Sequence, residues 1–161
     1  QSMKATLSIR HFQPHDAAAV TDIFYDSIHQ IAVEHYTRQQ ALAWAPLPKD
    51  YCAWESKLAA KPPFVAEMDG RIVGFMTLEA DGHIDWTYTH QDYQRQGIAG
   101  RLFEYLVEQA QAMGINLLFV EASYLAKPFF TKRGFDVVSE NATERDGQIL
   151  RNWSMEKKLN S

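Results

Sequence analysis

From Thr6 to Phe12 the chain alternates, with Leu7, Ile9 and His11 on one side and Thr6, Ser8, Arg10 and Phe12 on the other. That period predicts a first strand, ended by Pro14. Asp16 then stands where an N-cap is expected, ahead of a helical stripe of Ala19, Val20, Ile23, Phe24, Ser27 and Ile28. Thr37 is placed to cap a second, short helix over Arg38 to Ala45, which Pro46 and Pro48 stop. A third helix is expected over Asp50 to Ala60, with Tyr51, Trp54 and Leu58 on one side.

Strands follow at Phe64 to Met68, Arg71 to Glu79 and His83 to Thr89. Asp69-Gly70 and Asp81-Gly82 separate them, and two such turns so close together predict an antiparallel meander. Gly97 to Met113 reads as a long helix, with Ile98, Leu102, Leu106, Ala110 and Met113 at helical spacing and Gly114 as its stop. Asn116 to Glu121 suits a buried strand, and Lys127 to Arg133 a short helix ending at Gly134. Phe135 to Val138 and Ile149 to Glu156 read as two last strands joined by a polar loop. The order β-α-α-α-β-β-β-α-β-α-β-β is a mixed α/β layout, in which the long helix is a crossover between parallel neighbours.

The 161 residues suit one domain, expected over residues 3–161, since Gln1 and Ser2 precede Met3, read as the native start. Lys and Arg number 16 against 20 Asp and Glu, a net charge of -4 that argues against broad binding to nucleic acid. There is no apolar run of membrane-spanning length and no signal-peptide layout, so no membrane association is expected. The lone Cys52 permits no internal disulfide and reads as packed or inert, which favours a cytoplasmic setting. Six histidines occur without metal-ligand spacing, so no metal site is expected.

Chemistry concentrates in Gln94-Arg95-Gln96-Gly97-Ile98-Ala99-Gly100, between a strand and the long helix. Unpaired amides at a helix start, with small residues around them and Arg95 and Arg101 at the rim, make an anion site. A P-loop is excluded, because no Gly-Lys-Ser/Thr ends the turn, and the Gly-x-Gly opening of a dinucleotide fingerprint is absent.

Gln94-x-x-Gly97-x-Ala99 resembles the Gln/Arg-x-x-Gly-x-Gly/Ala signature of the GNAT superfamily of acyl-CoA-dependent N-acetyltransferases. Ile84 to Thr89 looks like that family's fourth strand, and Gly97 to Leu102 like the start of the helix after it. The run Ala126 to Phe135 resembles its fourth helix with the Gly-Phe ending. Tyr36, Trp44-Ala45-Pro46 and Phe64-Val65-Ala66-Glu67 extend the likeness to a bacterial branch of the family. The resemblance implies the GNAT fold: a mixed central sheet of six to seven strands with flanking helices.

It further implies transfer of an acetyl group from acetyl-CoA, as cosubstrate, to an amine acceptor, a small molecule or a peptide, by direct attack. Dimers are common in the family, so a homodimer is one expected assembly. Amides of Arg95, Gln96, Gly97, Ile98, Ala99 and Gly100 would hold the pyrophosphate, and Tyr88 and Thr89 would offer strand backbone to the pantetheine arm. Gln94, Ser123 and Phe130 complete the implied cofactor set. Phe130 stands where the family often has the tyrosine that protonates the thiolate, and Ser123 where it often has Asn. Tyr124 is the nearest phenol and the candidate acid. Asp85 is the first candidate base, as an acid inside an apolar strand, with Glu121 at the end of the fifth strand as another. Glu79 and His83 are further candidates. The missing tyrosine motivates an alternative, an acyl-CoA-binding sensor or interaction module with weak catalysis.

Overall fold

The computed structural model describes residues 6–31 and 34–159. Gln1, Ser2 and Met3 lie outside the described residues. Strand β1 (Leu7–His11) is followed by a short 3-10 turn (Pro14–Asp16), α1 (Ala17–Asp26) and a π-helical turn (Ser27–Ile31). Next come α2 (Arg38–Trp44), α3 (Tyr51–Ala60), β2 (Phe64–Met68), β3 (Arg71–Leu78) and β4 (His83–Thr89). The chain continues through a 3-10 turn (Gln91–Tyr93), α4 (Ile98–Ala112), β5 (Leu117–Ser123), α5 (Lys127–Lys132), β6 (Asp136–Arg145) and β7 (Gln148–Lys158). All seven strands form one sheet in the order β1-β2-β3-β4-β5-β7-β6. Only β4 and β5 run parallel, which is what the α4 crossover requires.

The sheet separates two apolar clusters. Against α4, residues Ile98, Leu102, Phe103, Leu106 and Ala110 pack on Val73, Met76, Ile84, Leu118 and Val120. Each fully buried side chain of this size contributes about 1.5–3 kcal/mol. On the other face α1 and α3 bring Val20, Ile23, Phe24, Trp54 and Leu58 onto Val65, Ile72 and Phe75. Strand β3 is buried from Ile72 to Thr77 because both faces are covered.

Four expectations need correction. Asp16 does not cap α1 with its side chain. Buried at 3% exposure, it accepts from the Gln13 amide at 2.8 Å and from Arg10 at 2.8 and 3.0 Å, and so ties β1 to the helix start. Burial opposes its charge, but the hydrogen bonds from Arg10 and Gln13 win and its pKa is lowered. Met113 leaves the α4 stripe and is exposed, because it sits at the C-cap after the last full turn. Tyr51 is exposed rather than packed beside Trp54 and Leu58. The polar stretch after Val138 is not a loop. It extends β6 to Arg145, and the chain reverses at Asp146-Gly147, both with positive φ, into an eleven-residue β7.

Candidate active site

Strands β4 and β5 pair at only two positions, His83 with Phe119 and Ile84 with Val120. Beyond them, from Asp85 and Glu121 onward, the strands part and a cleft of about 670 Å³ opens. A bulge falls at the same level. Leu78 pairs with Ile84, but Met76 pairs with Thr87, so β4 carries one residue more than β3 across this step. A bulge places two successive side chains on one face, and here Asp85 and Trp86 both line the cleft. The Thr87 hydroxyl beside them is buried and has no hydrogen-bond partner among the described residues.

At the far end of β4 the loop is shaped by two left-handed residues, Arg95 with φ 62° and Gly97 with φ 77°. The Gln94 amide holds it from behind, donating to the carbonyls of Thr89 at 2.8 Å and His90 at 3.3 Å. The first bond of α4 runs from the Arg101 N–H to the Gly97 carbonyl at 3.1 Å. The amides of Ile98, Ala99 and Gly100 therefore have no acceptor within the helix. The Ile98 side chain is buried, so it serves as the helix anchor while its amide faces the loop. Gln94 to Gly97 are exposed. A Cβ on Gly97 would meet nothing within 4 Å, whereas one on Gly100 would lie 2.8 Å from the Arg133 guanidinium. That guanidinium stacks on the Phe129 ring at 3.7 Å, and burial lowers its pKa.

A charged cluster sits where the strands part. Glu79, His83, Asp85 and Glu121 all project from the sheet face that carries α3. The His83 ring lies between Glu79 at 2.5 Å and Glu121 at 2.6 Å, and stacks on Phe119 at 5.0 Å. Lys61 follows α3 and reaches Glu79 at 3.3 Å and Asp85 at 3.4 Å. Burial disfavours the charged His83 ring, but both carboxylates outweigh it and its pKa is raised. The Glu79 pKa is lowered, first by His83 and then by Lys61 against its own burial. Asp85, Glu121 and Lys61 line the cleft.

The cleft wall is aromatic. Phe24 and Trp54 rings lie 4.2 Å apart, Trp54 and Trp86 5.1 Å, and Phe24 and Tyr88 5.2 Å. Tyr88 turns its side chain into this wall rather than toward the loop. Burial pushes its hydroxyl well above the ordinary range, against a hydrogen bond with the Trp44 side chain. The Thr89 carbonyl is taken by Ser27 at 3.1 Å and by Gln94. Ser123 lines the cleft, and its Oγ and carbonyl both accept from the Ala126 amide, at 3.2 and 3.1 Å. Phe130 also borders the cleft but is fully buried, packed against Phe103 and Phe135.

Tyr124, the candidate acid, is 54% exposed, with its ring near His35 and Trp153, and it is not among the residues lining the cleft. Three tyrosines line the cleft, Tyr25, Tyr36 and Tyr88, and the Tyr36 hydroxyl accepts the Tyr124 amide at 3.3 Å. Burial raises the Tyr36 pKa. That contact joins residues 88 positions apart, so no local signal pointed to it. Cys52 is exposed rather than packed, and lies off the cleft.

The description "Acetyltransferase (GNAT) domain" matches this chain over residues 32–159. An Escherichia coli protein described as the uncharacterized N-acetyltransferase YafP is 33% identical over 149 residues, spanning 92% of this chain and 94% of that one. This agrees with the bacterial branch that the Trp44-Ala45-Pro46 stretch resembles. A GCN5-related N-acetyltransferase structure from Rhodopseudomonas palustris, also described as a class-II aminotransferase, superposes with a TM-score of 0.89. It is 33% identical, over 99% of this chain and 100% of that one. The yncA structure from Salmonella typhimurium, a putative acetyltransferase solved with acetyl-CoA, has a TM-score of 0.73. It is 18% identical, over 96% of this chain and 94% of that one, a likeness of fold. The domain match over residues 32–159 and the two relatives at 33% identity show that the chain belongs to the GNAT acetyltransferase family.

Proposed function

We propose that this chain transfers the acetyl group of acetyl-CoA directly to an amine. The observation that carries the reading is the parted β4–β5 pair, with the open start of α4 at one end of the gap and Asp85 and Glu121 at the other. Loop amides from Arg95 to Gly100 hold the pyrophosphate, where the helix dipole favours negative charge. Gln94 braces that loop, and the backbone of Tyr88 and Thr89 pairs with the pantetheine arm. The thioester then lies in the gap, with Phe130 and Ser123 beside it. A β4 amide near Tyr88 donates to the carbonyl oxygen as it gains charge.

The amine enters from the α1–α3 side. Its nitrogen bonds to the carbonyl carbon, Asp85 takes the proton it sheds, and the carbon–sulfur bond breaks to release thiolate. Glu121, fixed by His83, orients the incoming amine. Tyr36 donates a hydrogen bond to the thiolate, in the place first expected of Tyr124. Calorimetric titration with acetyl-CoA, followed by thiol release over an amine panel, tests this reading. Binding with turnover is expected. Absence of binding at millimolar acetyl-CoA refutes it, and binding without release for any amine favours a sensor.

A further inference from the structure

The charges lining the cleft are unequally committed. Asp85 is paired with Lys61, and Glu121 with His83. Arg151 is paired with Glu140 at 3.1 Å. Two cations lining the same cleft, Lys57 and Arg145, have no carboxylate within ion-pair distance among the described residues. Lys57 lies over the Trp54 ring at 5.1 Å. Arg145 stands at the tip of the β6–β7 hairpin, brought there by the Asp146-Gly147 turn. None of the loop residues Gln94 to Gly100 lines this cleft.

The arrangement has three recognition elements around one volume. Carboxylates stand where the strands part, a tryptophan-rich wall stands beside them, and an uncommitted guanidinium stands at the rim. Both Asp85 and Arg145 are within electrostatic reach of the Tyr88 hydroxyl. An arginine without a partner carboxylate is suited to a bidentate bond with one from a ligand. A planar apolar group fits the Trp54–Trp86 wall.

We propose that the acceptor is an amine that also carries a carboxylate and an aromatic group, as aromatic amino acids do, and that Arg145 selects it by binding the carboxylate. This rests on the acetyltransferase reading and names its acceptor class. The amine then points to Asp85, the ring to the tryptophans and the carboxylate to the hairpin.

The test is binding, measured on protein saturated with coenzyme A so that no turnover intervenes. The probes are L-phenylalanine, 2-phenylethylamine, which lacks the carboxylate, and 3-phenylpropionate, which lacks the amine, followed by tryptophan fluorescence and calorimetry. Phenylalanine is expected to bind roughly tenfold or more tighter than 2-phenylethylamine. Arg145→Ala should erase that preference while leaving coenzyme A affinity unchanged. The proposal is overturned if 2-phenylethylamine binds as well as phenylalanine, if Arg145→Ala keeps the preference, or if neither amine binds. Coenzyme A affinity on the same samples reports separately on the acetyltransferase reading, so either can fail alone.

Discussion

Gly97 separates what the loop does for folding from what it does for the cofactor. It is the N-cap of α4 with φ 77° and ψ 11°, a left-handed conformation that an L side chain adopts at about 1–2 kcal/mol. Its missing Cβ faces open space, so Gly97→Ala adds only that backbone cost. For a chain of this length such a loss lowers the thermal midpoint by about 2–8 °C, at roughly 2–4 °C per kcal/mol. Gly97→Glu has the same backbone cost, but it points a carboxylate into the space where the pyrophosphate is placed. Two unit charges about 4 Å apart repel by roughly 4 kcal/mol at an effective dielectric of about 20, a factor near a thousand in affinity. The two variants should therefore melt alike and bind differently. Alanine should retain most coenzyme A affinity, and glutamate should lose about a thousandfold, partly recovered at high salt. Calorimetric titration beside thermal melts reads both quantities. Wild-type affinity in Gly97→Glu, or equal damage from alanine, would refute the placement of the phosphates.

Asp85→Asn should lower kcat by about a hundredfold or more with acetyl-CoA affinity intact; an unchanged kcat would exclude Asp85 as the base. Glu121→Gln should act mainly on the KM of the amine, read from the same steady-state series. Asp16→Asn removes one of the two carboxylates that hold the Arg10 guanidinium, leaving Glu67 at 2.9 Å, and should cost about 1.5–3 kcal/mol in denaturant unfolding. Because the Asp16 pKa is lowered, its contribution is complete above the unfolded carboxylate value and fades as pH falls through the folded one. For His83, whose pKa is raised, the sense is opposite. Its stabilisation is full below about 6.5 and is lost as pH rises through the folded value, so the gap in melting temperature between wild type and His83→Gln should close in alkali.

Most elements were legible because each carried a period or a punctuating residue. The Asp-Gly pairs marked the meander, and the α4 stripe marked the helix. The β6–β7 hairpin failed for a physical reason. Edge strand β6 is exposed at nine of its ten positions, so no buried face imposes alternation on Ser139 to Arg145. Its turn signal, Asp146-Gly147, was present, but without flanking apolar strands it carried no weight. The site divided in the same way. The loop could be read because its chemistry is local to Gln94 through Gly100. The Glu79–His83–Glu121 contacts could not, because they depend on which β4 residue faces which β5 residue.

The parts of the cleft that escaped sequence reading are the parts that distinguish this chain from a generic acetyl donor site. A bulge that turns Asp85 and Trp86 to one face is a register event, invisible to residue type. A hairpin that carries Arg145 to the rim depends on a polar edge strand. Both bear on the proposed acceptor side, while the proposed cofactor side rests on a contiguous run of backbone amides. Main-chain recognition tolerates drift in side chains as long as the glycine and helix start persist, so it leaves a motif. The cleft proposed for the acceptor is lined from β4, β5, α3 and the β6–β7 hairpin, which are far apart in the chain. On that reading those positions can change singly without disturbing the donor site. A net charge of -4 is compatible with this division, since the proposed sites need only helix-start amides for the anionic donor and one arginine, Arg145, for the acceptor.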